Sequence, residues 1–237
     1  MTRSKYALPI AAILTLLLSA MLSLSSAAAS LEPQLAPIAL YGKEILFDVE
    51  RAGKTVGYHR TEFKVTDGDL FVRNTFHVEI KIFFINAFRF HYDSHAVWTR
   101  GQLRELNVTV DDDGTAFSLN AKSNGIDMQI ESGNGSFQVK DNLFPTNHWN
   151  ANVLGQTRVL NTLTGHINQV RIDAAGQELI MTENGYVMAT KYRYSGELEN
   201  EAWYDGAGRW VKLAFKGRDG TPITYKCRRC QGGEPRS

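Results

Sequence analysis

Apolar and polar side chains alternate along most of this chain with a period of two, the repeat of a β-strand whose successive side chains leave opposite faces. Ile45, Phe47 and Val49 alternate up to Ala52-Gly53. Val56, Tyr58, Thr61, Phe63 and Val65 lead to Asp67-Gly68. Phe76, Val78, Ile80 and Ile82 alternate with His77, Glu79 and Lys81 until Phe83-Phe84-Ile85 breaks the rhythm, and Asn86 is the predicted turn. Phe88, Phe90, Tyr92, Ser94, Ala96 and Trp98 resume it as far as Arg100-Gly101. Further runs end at Asp113-Gly114, Asn124-Gly125, Asn134-Gly135, Ala175-Gly176, Asn184-Gly185, 205–208 and Asp219-Gly220. Asp-Gly and Asn-Gly between alternating runs are hairpin signals, and regular turns between neighbouring strands predict an antiparallel meander.

The alternation fails in one place. Residues 141–150, running on to 161–165, hold Pro145 and a dense set of amides and hydroxyls around His148 and Trp149. One short helix is predicted at 149–158, with Asn147 as its cap. The chain therefore reads as all-β: a single antiparallel meander domain at 41–230, strongly curved or barrel-like. Its halves, 41–141 and 165–230, are joined by an irregular crossing at 142–164. So many strands must curl, close or fold over. Residues 30–40, with Pro33 and Pro37, are expected to be an extended lead-in, and the polar tail 231–237 to be disordered.

Composition adds a compartment. Arg3 and Lys5 precede an apolar run at 7–24, and Ser25-Ser26-Ala27-Ala28-Ala29 follows with signal-peptidase spacing. Cleavage after Ala29 predicts export to the periplasm, with no stable membrane span afterwards; an uncleaved anchor is the alternative. The balance of 26 basic and 25 acidic side chains falls to −1 once Arg3 and Lys5 leave, which points away from nucleic acid. Aromatic residues at 11% suit a sheet-built core or a lined pocket. The two cysteines, Cys227 and Cys230, stand close to the C-terminus. An oxidising compartment favours a disulfide. A redox-active pair would need a helix N-terminus, absent from the strand-like 221–225, although the flanking arginines would lower a thiol pKa. Zinc would need two further ligands.

Three clusters carry candidate chemistry. His91, Asp93 and His95 alternate on one strand and share a predicted face with His77 and Glu79. Neighbours at that spacing can reach one metal ion, whereas Lys81 and Arg89 on the same face repel a cation and fit a solvated outer face. Glu197, Glu199 and Glu201 resemble paired carboxylates but alternate like the wet face of an outer strand, and Asp111, Asp112 and Asp113 read as a turn. In the crossing, Asn147, His148, Asn150, Asn161 and Thr162 can line a polar pocket with Trp149 as an apolar wall. His148 is the candidate general base, without an adjacent nucleophile. The same amides equally serve the backbone of an irregular segment. No nucleotide, hydrolase or zinc-protease motif is present, and no cofactor is implied.

The combination of 144–150, 160–165, Tyr192-Arg193-Tyr194-Ser195-Gly196, Trp203-Tyr204-Asp205 with 208–212, and Cys227-Arg228-Arg229-Cys230 resembles an uncharacterised family of exported proteobacterial domains of unknown function, over 41–230. More distantly, 53–57 and the late Trp-x-Asp-x-x-Gly strand are similar to another uncharacterised family of exported antiparallel β-proteins. The resemblance implies the fold and the compartment and carries over no catalytic residue. The leading expectation is a non-enzymatic binder of an apolar or amphipathic envelope ligand, such as a lipid, or of an envelope protein. The alternatives are an envelope-acting enzyme using His148 and an assembly factor using an exposed strand edge.

Overall fold

The computed structural model describes residues 36–82, 85–141 and 143–232. The predicted signal peptide at 1–29, the tail from 233 on and the hairpin tip at 83–84 lie outside the described residues. The first half of the chain forms β1 (Glu44–Arg51), β2 (Lys54–Thr66), β3 (Asp69–Ile82), β4 (Ile85–Thr99), β5 (Gln102–Asp112), β6 (Thr115–Ser123), β7 (Asp127–Ser132) and β8 (Gly135–Lys140). The second half forms β9 (Phe144–Pro145), β10 (Arg158–Leu160), β11 (Ile167–Thr182), β12 (Gly185–Gly196), β13 (Asn200–Asp205), β14 (Trp210–Lys216) and β15 (Pro222–Arg229).

Among the described residues these strands make one sheet in the order β8-β7-β6-β5-β4-β3-β2-β1-β15-β14-β13-β12-β11-β10-β9. Each half is a meander, and the halves are welded where β1 pairs antiparallel with β15. The short β9–β10 pair is parallel. The two edges, β8 and β9, are consecutive in the chain, so 141–166 passes from one rim of the curled sheet to the other. Among the described residues no ladder closes the gap. The rims meet through single contacts instead: Asn134 Nδ2 donates to the Thr164 carbonyl at 2.6 Å, and Arg158 Nη1 lies 3.4 Å from Asp141 Oδ2.

Local chemistry explains the hairpins. At Ala52-Gly53, Asp67-Gly68, Arg100-Gly101 and Asp113-Gly114 both turn residues have positive φ. That is the two-residue turn whose twist matches the flanking strands, and glycine takes its second position without steric penalty. Other expectations change. Ala175-Gly176 is no turn: β11 runs straight through it, with a register skip between Ala174 and Gln177. Ala175 and Gly176 together stand opposite Lys191 alone, so one extra residue is absorbed as a bulge. Asn86 lies inside β4. The extended lead-in gives way to a helix, α1 (Ala36–Tyr41), since Pro37 falls in the first turn, where its missing N–H is not needed. The crossing holds a 3-10 turn, Ala151–Gly155, in place of a helix at 149–158, and its cap is Asn150. Gln231 is buried, its N–H bonded to Glu183 at 2.8 Å, so order extends to the start of the predicted tail.

The crossing packs on the concave face. Trp149 lies edge-on to Phe63 and Trp98, each with centroids 5.4 Å away. The Tyr41 hydroxyl donates to the Trp149 carbonyl at 3.0 Å and accepts the Trp210 N–H at 2.8 Å, while Tyr204 donates to the His148 carbonyl at 2.8 Å. α1 and β13 thus satisfy two backbone carbonyls that a non-strand segment brings inside, with β14 holding Tyr41 in place.

One close approach shapes this interior. Gly57 faces Val78 across β2–β3, and a Cβ there would lie 1.8 Å from the His77 carbonyl oxygen. Backbone cannot yield to that contact without breaking the ladder. Gly57→Ala is therefore expected to destabilise the protein by about 3 kcal/mol or more, as other severe steric substitutions do. Urea denaturation measures it, and a loss below about 1 kcal/mol would show that the strands separate freely here.

Candidate functional site

Two adjoining cavities lie inside the curl. The larger, about 570 Å³, is walled by Phe76, Val78, Ile80, Phe88, Phe90, Phe215, Ile223 and Tyr225. These residues come from β3, β4, β14 and β15 and share one face because their numbers keep parity along each strand. Thr146, Asn147, Thr162 and His59 line its inner part, and Arg51, Asp112, Lys216, Arg218 and Asp219 belong to the strand ends and the turn at its mouth. The smaller, about 300 Å³, is lined by His148, Trp149, Asn161, Asn200 and Trp210 among others. His59, Thr146, Asn147, Leu163, Phe215, Lys216 and Tyr225 line both.

The crossing residues divide into two groups. Asn150 accepts the Asn152 N–H at 3.1 Å, and Asn161 accepts the Leu163 N–H at 3.0 Å, so both side chains serve local backbone. Asn161 also borders the smaller cavity, whereas Asn150 borders neither. Asn147 and Thr162 line the larger cavity, and the Thr162 and Thr146 hydroxyls lie 3.3 Å apart. Asn147 Nδ2 is buried without a hydrogen-bond partner among the described residues. Trp149 is the apolar wall and plug.

His148 is 7% exposed, with Nδ1 3.5 Å from the Tyr194 hydroxyl and its ring 5.4 Å from Trp210. Burial lowers its pKa to about 4, because desolvation disfavours the imidazolium. His59 is lowered further, to about 3, by burial and by repulsion from His148. His59 is half-buried and lines both cavities. Its ring stacks on Tyr225 at 5.3 Å and meets Trp210 edge-on at 5.4 Å. Both imidazoles are neutral at pH 7. Among the described residues no carboxylate hydrogen-bonds to His148.

Sequence reasoning missed His59. Its signal was parity: extending Phe63 and Thr61 backwards by two places it on the concave face, while Tyr58 points outward and is 37% exposed. A polar ribbon beside it, Thr61 to Asn74 Oδ1 at 2.7 Å and Asn74 Nδ2 to Ser94 at 3.2 Å, crosses β2, β3 and β4. The mouth was also missed, since it joins strand ends that are distant in sequence.

The other clusters stay on the outside. His77 and His91 sit opposite each other with rings 5.9 Å apart. Asp93 is occupied by Arg73 at 2.9 Å and by His95 Nε2 at 2.8 Å, so its carboxylate is already saturated by side chains. Glu201 pairs with Arg193, Glu197 accepts the Gln169 N–H at 2.6 Å, and Asp111 accepts the Gly114 N–H at 2.7 Å. Cys227 and Cys230 are joined as a disulfide. Glu183, in the β11–β12 turn, accepts the N–H groups of Cys230 and Gln231 at 2.9 and 2.8 Å and so clamps the end of β15. That hairpin also carries an apolar face of Leu179, Met181, Tyr186 and Met188, all more than half exposed. Among the described residues no helix is long and apolar enough to cross a membrane.

Comparison with known proteins places this architecture. The model of a domain of unknown function, DUF6134, matches residues 47–228. No curated protein matches the sequence. A crystal structure of a β-barrel-like protein of domain of unknown function DUF1849 from Brucella abortus superposes with a TM-score of 0.58 at 10% identity, covering 81% of this chain and 97% of that one. At that identity the likeness concerns the fold alone.

Proposed function

The chain belongs to the DUF6134 family, and from the interior of its curled sheet we propose that it is an exported, periplasmic binding protein for an amphipathic ligand, whose apolar part enters the larger cavity. One observation carries this reading. A space of about 570 Å³ is walled by aromatic and aliphatic side chains from both halves, with a charged mouth and a neutral polar inner end. Its size falls within the range of small-molecule sites, which combine an apolar lining with a few placed polar groups. Apolar ligand surface leaving water there gains about 25 cal/mol per Å² before binding entropy is subtracted. The disulfide supports the oxidising compartment, where such bonds persist.

The contacts of His148 do not favour chemistry. A general base works best with a pKa near the working pH, and burial holds this one at about 4. Its carbonyl and ring pack the crossing against β12, β13 and β14.

The test uses N-phenyl-1-naphthylamine, a neutral apolar fluorophore. The protein is expected to bind it saturably. Ile80→Trp, which puts an indole into the cavity from a half-buried wall position, is expected to weaken binding by about tenfold or more, with the thermal midpoint held. Absence of saturable binding, or binding as tight as wild type by both Ile80→Trp and Phe90→Trp, would refute the cavity as the site. Native mass spectrometry of protein taken from periplasm supplies an independent check, as a co-purified amphiphile.

A further inference from the structure

We infer that the ligand is a single-chain fatty carboxylate, bound tail inward, with its anionic head at the mouth on Lys216 and Arg218. This rests on the cavity reading above and adds the charge and direction of the occupant.

The mouth is assembled from three strand ends. The end of β1 brings Arg51, the end of β5 brings Asp112, and the end of β14 with the turn after it brings Lys216, Arg218 and Asp219. Arg51 is ion-paired with Asp219 and donates to the Thr221 hydroxyl at 3.1 Å. Arg218 is ion-paired with Asp112. Among the described residues Lys216 has no acidic partner within ion-pair distance. The three cations and two carboxylates of the mouth therefore leave one positive charge uncompensated.

The Arg218–Asp112 pair has an unusual position. In the sheet order, β15, β1, β2, β3 and β4 separate β14 from β5. The pair therefore links strands that are not neighbours in the sheet, across the cavity entrance. Its guanidinium is 83% exposed and its carboxylate 18%. An exposed arginine with five N–H donors can turn part of its fork to an arriving carboxylate while still touching Asp112.

The inner end offers no such partner. Thr146, Asn147, Thr162 and His59 line it, and none is charged at neutral pH. An anion placed there would lose its hydration without gaining a counter-ion. The apolar wall between inner end and mouth runs from Tyr92 to Phe88 on β4, a depth of roughly 13 Å at strand rise. Charge and depth together orient the ligand, with the tail against Phe76, Val78, Phe90 and Tyr225 and the head beside Lys216.

Isothermal titration at pH 8 with decanoate, 1-decanol and decyltrimethylammonium tests this. Wild type is expected to bind both decanol and decanoate. Lys216→Glu combined with Arg218→Glu is expected to weaken decanoate by about tenfold or more, leave decanol within about twofold, and strengthen decyltrimethylammonium. Lys216→Gln should weaken decanoate alone, by a smaller factor. Raising salt should erode decanoate binding selectively, since the mouth is exposed and screened. Decanoate unaffected by charge reversal, with decanol still bound, would overturn the head-group assignment and leave the cavity reading standing. Equal loss of decanoate and decanol in the reversed variant would also overturn it, as a shape effect. Failure of all three probes with wild type would overturn both.

Discussion

Lowering the pH from about 6.5 to about 4 is expected to remove about 6 kcal/mol of the protein's stability, by protonation of two interior histidines in the unfolded chain. An unfolded histidine titrates near 6.5. In the folded protein His148 is held at about 4 and His59 at about 3. Above 6.5 both rings are neutral in both states and the linkage contributes nothing. Below 6.5 the unfolded chain takes up protons that the native interior refuses, so stability falls with pH. The loss continues until each folded-state pKa is reached. At roughly 1.4 kcal/mol per pH unit for each ring, the fall from 6.5 to 4 amounts to about 3 kcal/mol apiece. Together that rivals a net stability of about 5–15 kcal/mol. Urea midpoints measured at several pH values should drop steeply in this window, and His59→Phe should remove about half of the slope. A flat profile between 6.5 and 4.5 would mean that the two rings reach water in the native state.

Trp210→Ala is expected to cost about 3–5 kcal/mol, the range for truncating a buried large aromatic. Trp210 is 1% exposed and sits between the two histidines, 5.4 Å from each, with Phe47 at 4.4 Å on another side. Its Nε1 donates to the Lys212 carbonyl at 2.9 Å, and its backbone N–H reaches the Tyr41 hydroxyl at 2.8 Å. Through Tyr41 the same contact holds the Trp149 carbonyl of the crossing. Trp210→Ala keeps that backbone bond but strips the packing from the His148 ring, so it loosens the crossing as well as the sheet. Trp210→Phe keeps a ring between the histidines and should recover part of the loss. Urea denaturation decides it; a cost below about 1 kcal/mol would show that the surrounding strands collapse into the space.

The fold was legible because strand patterning is local. Period-two alternation marks each run, and Asp-Gly or Asn-Gly marks most reversals, so an all-β meander follows without tertiary information. Ala175-Gly176 shows the limit of that reasoning. The same dipeptide chemistry serves a turn or a bulge, and only pairing with 190–192 on β12 distinguishes them. Tyr58 and His59 show another. The alternation changes parity near Gly57, where the β1–β2 ladder skips Val56, and that pairing decides which neighbour turns inward.

The candidate site was legible in its outline. The break in rhythm at 141–165 identified the segment that enters the concave face, and with it Asn147, His148, Trp149, Asn161 and Thr162 near the cavities. The amides at Asn150 and Asn161 could have been pocket lining or backbone caps, and that depended on neighbours the chain order does not reveal. By itself the sequence determined the strand rhythm, the interrupted crossing and the Cys-x-x-Cys pair, because each is a property of adjacent residues. The tertiary structure alone decided that β1 pairs with β15, that Trp210 stands between His59 and His148, and that Arg218 meets Asp112 over the cavity. Those residues are brought together by the direction and extent of the sheet's curl, which sums small twists over many strands and is written in no single stretch of chain.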